Sequence, residues 1–152
     1  IRIKPKHYEI VKDYAEKVDD GFHARYHTCG KKYRYRILNH SHGSVFVRNY
    51  VYHIYTELKL EKMVKAAAAL TGKHDFAAFQ AKGSDIEDTV RTIKKIKIKK
   101  KSPEYWFEFT GDGFLYKMIR IIMGTLIEIG LEKRVPEDIE HIFQSRKREK
   151  AG

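Results

Sequence analysis

The sequence predicts a single α+β domain in which helices pack on one face of a mostly antiparallel sheet. Three observations predict it. Residues Lys31 to Leu38 alternate at period two, two β-rich runs are joined by Lys101-Ser102-Pro103, and two stretches carry apolar residues at helical spacing. The 152 residues suit one domain, and 42% hydrophobic with 12% aromatic content supplies a core despite 34% charged residues. No linker, internal repeat or low-complexity segment divides the chain, so residues 1–152 are read as one unit.

In chain order, Tyr14 to Val18 reads as a short strand and Lys31 to Leu38 as a longer one. Ser44 to Tyr52, rich in Val, Phe and Tyr, reads as a further strand or an ordered loop. Leu60 to Thr71 reads as a helix, with Met63, Val64, Ala67 and Leu70 on one stripe and Gly72 as terminator. Gly83 to Asp88 is a polar loop, and Thr89 to Lys100 and Glu104 to Thr110 are strands. The longest helix is Phe114 to Gly130, with Leu115, Met118, Ile119, Ile122, Leu126 and Ile129 turned to the core. Lys117, Arg120, Gly124 and Glu128 share its other face. A mid-helix glycine costs about 1 kcal/mol relative to alanine, so Gly124 predicts a close backbone approach. Pro136 opens a last helix to about Arg148, whose Arg146-Lys147-Arg148 cluster sits at the negative end of the dipole.

The 31 Lys and Arg against 20 Asp and Glu give a net charge of +11, which attracts phosphate backbones. Lys31, Lys32, Arg34 and Arg36 alternate with Tyr33 and Tyr35, close to Arg25 and Tyr26. Cations for phosphates beside aromatic faces for unstacked bases suit RNA. The same alternation also suits a half-buried strand with tyrosines to the core and cations to water. The lysine-rich run from Lys94 to Lys101 reads as a strand kept soluble by charge. One cysteine, Cys29, excludes an internal disulfide, and no secretory signal is visible, so a cytoplasmic setting is expected. The apolar stretch from Phe114 to Leu131 is too polar for a membrane span. His23, His27 and Cys29 lie near His40 and His42, but without the paired spacing of a zinc site. No nucleophile elbow and no glycine-rich phosphate loop is present.

Three segments carry a more specific signal. Asp19-Asp20-Gly21-Phe22-His23-Ala24-Arg25-Tyr26, followed by Lys31-Lys32-Tyr33-Arg34-Tyr35, resembles the middle of the bacterial tRNA pseudouridine synthase A family. Thr71-Gly72-Lys73-His74-Asp75-Phe76 with Phe79, then Val90-Arg91-Thr92-Ile93, is similar to that family's next blocks. Gly113-Phe114-Leu115-Tyr116-Lys117-Met118-Ile119-Arg120, leading into Gly124-Thr125-Leu126 and Gly130, resembles its late active-site helix. Order and spacing match from about Tyr14 to Gly152.

The resemblance implies a pseudouridine synthase-like fold. It also implies isomerisation of uridine to pseudouridine in the anticodon arm of tRNA, without metal or organic cofactor, by an enzyme that works as a homodimer. By position it makes Tyr33 the tyrosine that packs on the flipped base, Arg120 the partner of the catalytic aspartate, and Leu115 part of the pocket lining. Arg25, Lys31, Lys32 and Arg91 become RNA contacts. The family's nucleophilic aspartate lies in a Gly-Arg-Thr-Asp-Ala-Gly motif, and none of Asp13, Asp19, Asp20, Asp75, Asp85, Asp88, Asp112 and Asp138 sits in one. Ala78, Gln80 and Ile121 also depart from the family's commoner Ser, Arg and Asn. The expectation is therefore a C-terminal piece of such an enzyme, starting at Ile1 and inactive by itself. The rivals are a non-catalytic RNA-binding module and a structural or dimerisation domain.

Overall fold

The computed structural model describes residues 17–24, 27–83 and 86–152. Five strands form one sheet. They are β1 (Lys31–Asn39), β2 (Tyr52–Ile54), β3 (Gly72–Asp75), β4 (Val90–Lys101) and β5 (Glu104–Gly111). Three helices, α1 (Leu60–Ala69), α2 (Met118–Gly130) and α3 (Asp138–Ser145), complete the α+β architecture. The sheet order is β2-β1-β5-β4-β3. Among the described residues only the β1–β2 pair is parallel, so the sheet is mostly antiparallel as expected.

Register divides the side chains between two faces. Tyr33, Tyr35 and Ile37 lie opposite Phe109, Phe107 and Tyr105, which in turn face Ile96, Ile98 and Lys100. This is the helix-covered face. Ile37, Ile93, Phe107 and Phe109 are fully buried there with Met63 and Leu70 of α1 and Met118, Ile122, Leu126 and Ile129 of α2. Burying an aliphatic or aromatic side chain of this size contributes roughly 1.5–3 kcal/mol, so this layer fixes where α2 sits. The opposite face carries Lys32, Arg34 and Arg36 against Thr110, Glu108 and Trp106, then Lys95, Lys97 and Lys99.

Several boundaries differ from the sequence reading, each for a local reason. Residues 14–16 lie outside the described residues, and Lys17 and Val18 have no regular structure. Between Ser44 and Val51 the chain makes turns, and only Tyr52–Ile54 is strand. Gly72 does stop α1, but at a φ of +118° it turns the chain straight into β3, which the polar sequence Lys73-His74-Asp75 had concealed. Val64, assigned to the apolar stripe of α1, is 49% exposed while Met63, Ala67 and Leu70 are buried.

The long helix begins at Met118 rather than Phe114, because Lys117 takes a left-handed conformation at φ 55° and no helix can run through it. The last helix starts two residues after Pro136 and stops before Arg146, also left-handed at φ 54°. Arg146 does not serve the helix dipole by position alone: its Nη2 lies 2.7 Å from Asp75 Oδ2, tying α3 to β3. The close approach expected at Gly124 is present. A Cβ built there would lie 2.8 Å from the carbonyl carbon of Gly152, whose N–H donates to Thr125 Oγ1 at 2.9 Å.

Candidate uridine-pocket wall

A cleft of about 340 Å³ opens where β1 passes the start of α2. That volume is at the small end of ligand sites, enough for a nucleoside rather than a large cofactor. Tyr33 and Tyr35 enter it from β1, Phe114, Leu115 and Lys117 from the β5–α2 connection, and Met118, Ile119 and Arg120 from α2.

The connection is shaped by a small set of backbone contacts. Asp112 accepts hydrogen bonds from the Thr92 N–H at 3.0 Å and the Gly113 N–H at 2.7 Å. Burial alone would raise its pKa, but these donors and the charge of Arg91 hold it below the usual carboxylate range. Asp112 is thus a brace for the turn. Gly111 has no side chain, which lets Phe114 lie against the strand: a Cβ there would meet the ring at 3.1 Å. Phe114 then packs edge-on to Tyr33 with ring centroids 5.4 Å apart. Such a pair is worth about 0.5–1.5 kcal/mol beyond its area, and it leaves the Tyr33 ring 51% exposed over the cleft. The left-handed Lys117 turns the chain sharply at this point, and its carbonyl accepts from the Arg120 N–H at 3.0 Å.

Among the described residues the lining holds phenols and cations but no carboxylate. Burial raises the Tyr35 pKa, Tyr52 adds to the rise, and Arg120 opposes it. Tyr35 therefore stays a neutral donor at physiological pH within the field of the Arg120 guanidinium. Arg120 itself is exposed, and Glu128, one candidate partner, is paired instead with Arg134 at 2.5 Å. Among the described residues Arg120 has no carboxylate partner. The site can stack an aromatic ring on Tyr33 and hold an anion at Arg120, but its lining offers no group to attack a sugar.

Tyr33, Leu115 and Arg120 are thus brought together from distant parts of the chain. Lys31 lies at the first position of β1, opposite Gly111. Lys32 projects from the other sheet face, 3.8 Å from Glu108. Arg91 donates to the Val90 carbonyl at 2.6 Å and packs near Gly113, beside the cleft rather than in it. Arg25 lies outside the described residues. The sequence reading missed Phe114 and Tyr35 as lining residues. Tyr35 was legible from its period-two offset to Tyr33, and Phe114 stood inside the quoted Gly113–Arg120 motif. Nothing in the sequence marks the left-handed Lys117.

The half-buried-strand reading of the basic-aromatic run is met in part, with its tyrosines and its cations on opposite faces of the sheet. The tyrosines point to the helix side and remain partly open, while Arg34 donates to Glu108 and Arg36 forms a two-pronged pair with Glu104 at 2.7 and 2.8 Å. Among the described residues no helix is long and apolar enough to cross a membrane.

The family model described as tRNA pseudouridine synthase matches residues 66–152. The chain is 48% identical over 144 residues to tRNA pseudouridine synthase A 2 of Clostridium tetani, which covers 95% of this chain and 58% of that protein. It is 44% identical over 144 residues to tRNA pseudouridine synthase A of Acetivibrio thermocellus, covering 95% and 59%. With the enzyme of that name from Halalkalibacterium halodurans it shares 46% identity over 138 residues, covering 91% and 52%. The chain therefore spans somewhat over half the length of the curated relatives it matches.

Proposed function

The chain belongs to the tRNA pseudouridine synthase family, and on that premise we propose that its cleft is one wall of a uridine pocket acting on the anticodon arm of tRNA. One observation carries the reading: Tyr33, Leu115 and Arg120 converge on a nucleoside-sized cleft whose described lining is aromatic, apolar and cationic. In this reading the target uridine leaves its stack, a step that costs a few kcal/mol, and its base packs on the exposed Tyr33 ring. Leu115, 3% exposed, closes the apolar side. Arg120 holds an attacking aspartate ionised, as an opposite charge within a few ångströms does. That aspartate attacks the anomeric carbon as the glycosidic carbon–nitrogen bond breaks, the base turns, and a ring carbon then bonds to the sugar and displaces the aspartate. That carbon loses its proton and the freed ring nitrogen gains one. Neither metal nor organic cofactor takes part.

The 152 residues contain no Gly-Arg-Thr-Asp motif, so in this reading they bind the substrate without converting it. The proposal includes homodimerisation, supported by the open edge of β2 and the exposed Phe46, Tyr50 and Tyr55 in the segments flanking it. Sedimentation of the purified chain at rising concentration reads that part.

The pocket is tested with an anticodon stem-loop RNA carrying either uridine or an abasic site at the target position. Stacking of one base on an aromatic side chain is worth about 1–3 kcal/mol, so the abasic RNA is expected to bind at least about fivefold more weakly. In Tyr33→Ala the two RNAs become equal. Equal binding of both by the unmodified chain overturns the reading.

A further inference from the structure

The sheet face turned away from the helices meets the cleft only at Arg34 among the described residues, and its charge is lopsided. By register it carries Lys32, Arg34 and Arg36 from β1 and Lys95, Lys97, Lys99 and Lys101 from β4, against only Glu104 and Glu108 from β5. The two carboxylates are already committed. Glu104 is held by Arg36. Glu108 is 3% exposed beneath Lys99 at 3.0 Å, Arg34 at 2.7 Å and Lys32 at 3.8 Å. Lys95, Lys97 and Lys101 are exposed, and no ion pair holds any of them among the described residues. The lysine run, which in the sequence reads as protection of an edge strand, therefore has another explanation to find. β4 is not an edge: it lies between β5 and β3 and needs no charge to prevent strand addition.

We propose that this face is a second RNA-docking surface, one that grips the phosphate backbone of a base-paired segment while the cleft on the other face takes the uridine. The proposal rests on the uridine-pocket reading for the identity of its partner as RNA. Spacing supports a backbone contact. Residues two apart on a strand are separated by roughly 6.7 Å, so Lys95, Lys97, Lys99 and Lys101 make a row about 20 Å long. A duplex presents about one phosphate charge per 1.7 Å of axis, so the row faces many more phosphates than it can neutralise.

Paired rather than single-stranded RNA is favoured by the state of Trp106, the aromatic ring between the β1 and β4 cations. Trp106 has the Arg34 guanidinium 4.4 Å from its centroid, and its N–H donates to Glu104 at 2.7 Å. With Arg34, Arg36 and Lys101 at 4.4, 5.5 and 5.8 Å from its centroid, the ring is already engaged by cations. It makes a poor version of the stacking platform that single-strand sites require. A second copy of the chain is disfavoured by charge, because two such faces would meet with a large like-signed excess. A lipid surface finds, among the described residues from Lys95 to Lys101 and their β5 partners, no exposed large apolar side chain to insert.

The test is a salt series of binding constants for the 152-residue chain with a fully paired RNA duplex that has no loop. The variant is the triple substitution Lys95→Gln, Lys97→Gln, Lys101→Gln, chosen because these side chains hold no ion pair, with folding checked by thermal melting. A control removes equal charge elsewhere: Lys133→Gln, Lys147→Gln, Lys150→Gln. Each lost phosphate contact changes the slope of log K against log salt by about 0.9, so the triple variant should flatten it by about 2 to 3 and lose more than tenfold affinity at low salt. The control should keep its slope. An unchanged slope in the face variant, or an equal change in the control, overturns the proposal. If uridine-dependent binding of the stem-loop survives in that case, the pocket reading stands without the second surface. A chain that binds neither duplex nor stem-loop removes both. Tighter binding to anionic vesicles than to duplex, or a face variant that alters only self-association, also overturns it.

Discussion

Replacing Gly124 with alanine should destabilise this chain, although alanine is the better helix former. Gly124 lies in the interior of α2, one turn beyond Arg120 on the same face. By propensity alone Gly124→Ala gains about 1 kcal/mol. The new Cβ, however, would lie 2.8 Å from the Gly152 carbonyl carbon and 3.1 Å from its oxygen, which are backbone atoms that cannot rotate aside. The terminal segment must move, straining the Gly152 N–H bond to Thr125 Oγ1 and the packing of Ala151, which is 7% exposed. Overpacking of this kind costs about 1–3 kcal/mol, and a net hydrogen bond adds about 1 kcal/mol. The balance is a net loss of about 1–3 kcal/mol. For a chain of this size that lowers Tm by roughly 2–12 °C.

The decisive comparison is the same substitution in a chain ended at Lys150, where the clash has no partner. There Gly124→Ala should stabilise by about 1 kcal/mol, so the two backgrounds differ in sign. Urea denaturation of the four proteins, read as midpoint at constant slope, gives the coupling. An equal stabilisation in both lengths would refute the reasoning.

Other expectations follow from the electrostatics. Arg120 lowers and burial raises the Tyr35 pKa, so Arg120→Gln should move the phenol's ionisation further up, while Tyr52→Phe should move it down. Ultraviolet absorbance titration, with Tyr35→Phe to assign the signal, reads both. Glu108 is held down to about 2 from 4.5, by Lys99 and then Arg34. Its folded form therefore binds fewer protons than the unfolded one between those values. Its contribution is complete above about pH 4.5 and is lost as pH falls toward 2. Denaturation midpoints of the unmodified chain and Glu108→Gln should accordingly converge as pH falls through that window; a constant difference contradicts the ion cluster. Arg36→Ala removes the two-pronged pair with Glu104 and should cost about 1–3 kcal/mol by the same denaturation measurement.

Elements with strong periodicity were legible in the sequence, and those set by a single backbone angle were not. β1, β4, β5 and the body of α2 follow from alternation and apolar stripes because burial rewards those patterns directly. The start of α2 was misplaced because the left-handed Lys117 overrides an unbroken apolar stripe. β3 was missed because its polar residues carry no β signal, and pairing with β4 supplies its stability instead. The cleft was partly legible: the late helix motif held Leu115 and Arg120, and the alternating run held Tyr33. Its construction was not, since the Asp112 brace and the Phe114–Tyr33 contact depend on a turn whose geometry only the fold reveals. Alternation foretold two chemically distinct faces of β1, but the pairing of its arginines with Glu104 and Glu108 needed the register.

The central claim is that the chain supplies the binding wall of the pocket and lacks its nucleophile. The most direct measurement is release of tritium from the uracil ring carbon that gains the sugar bond, using unmodified tRNA as substrate. The purified 152-residue chain should release none. Mixing it with a separate polypeptide that carries the Gly-Arg-Thr-Asp-Ala-Gly segment of a relative should restore release, and Arg120→Ala should abolish it again. Release by the 152-residue chain alone would contradict the account.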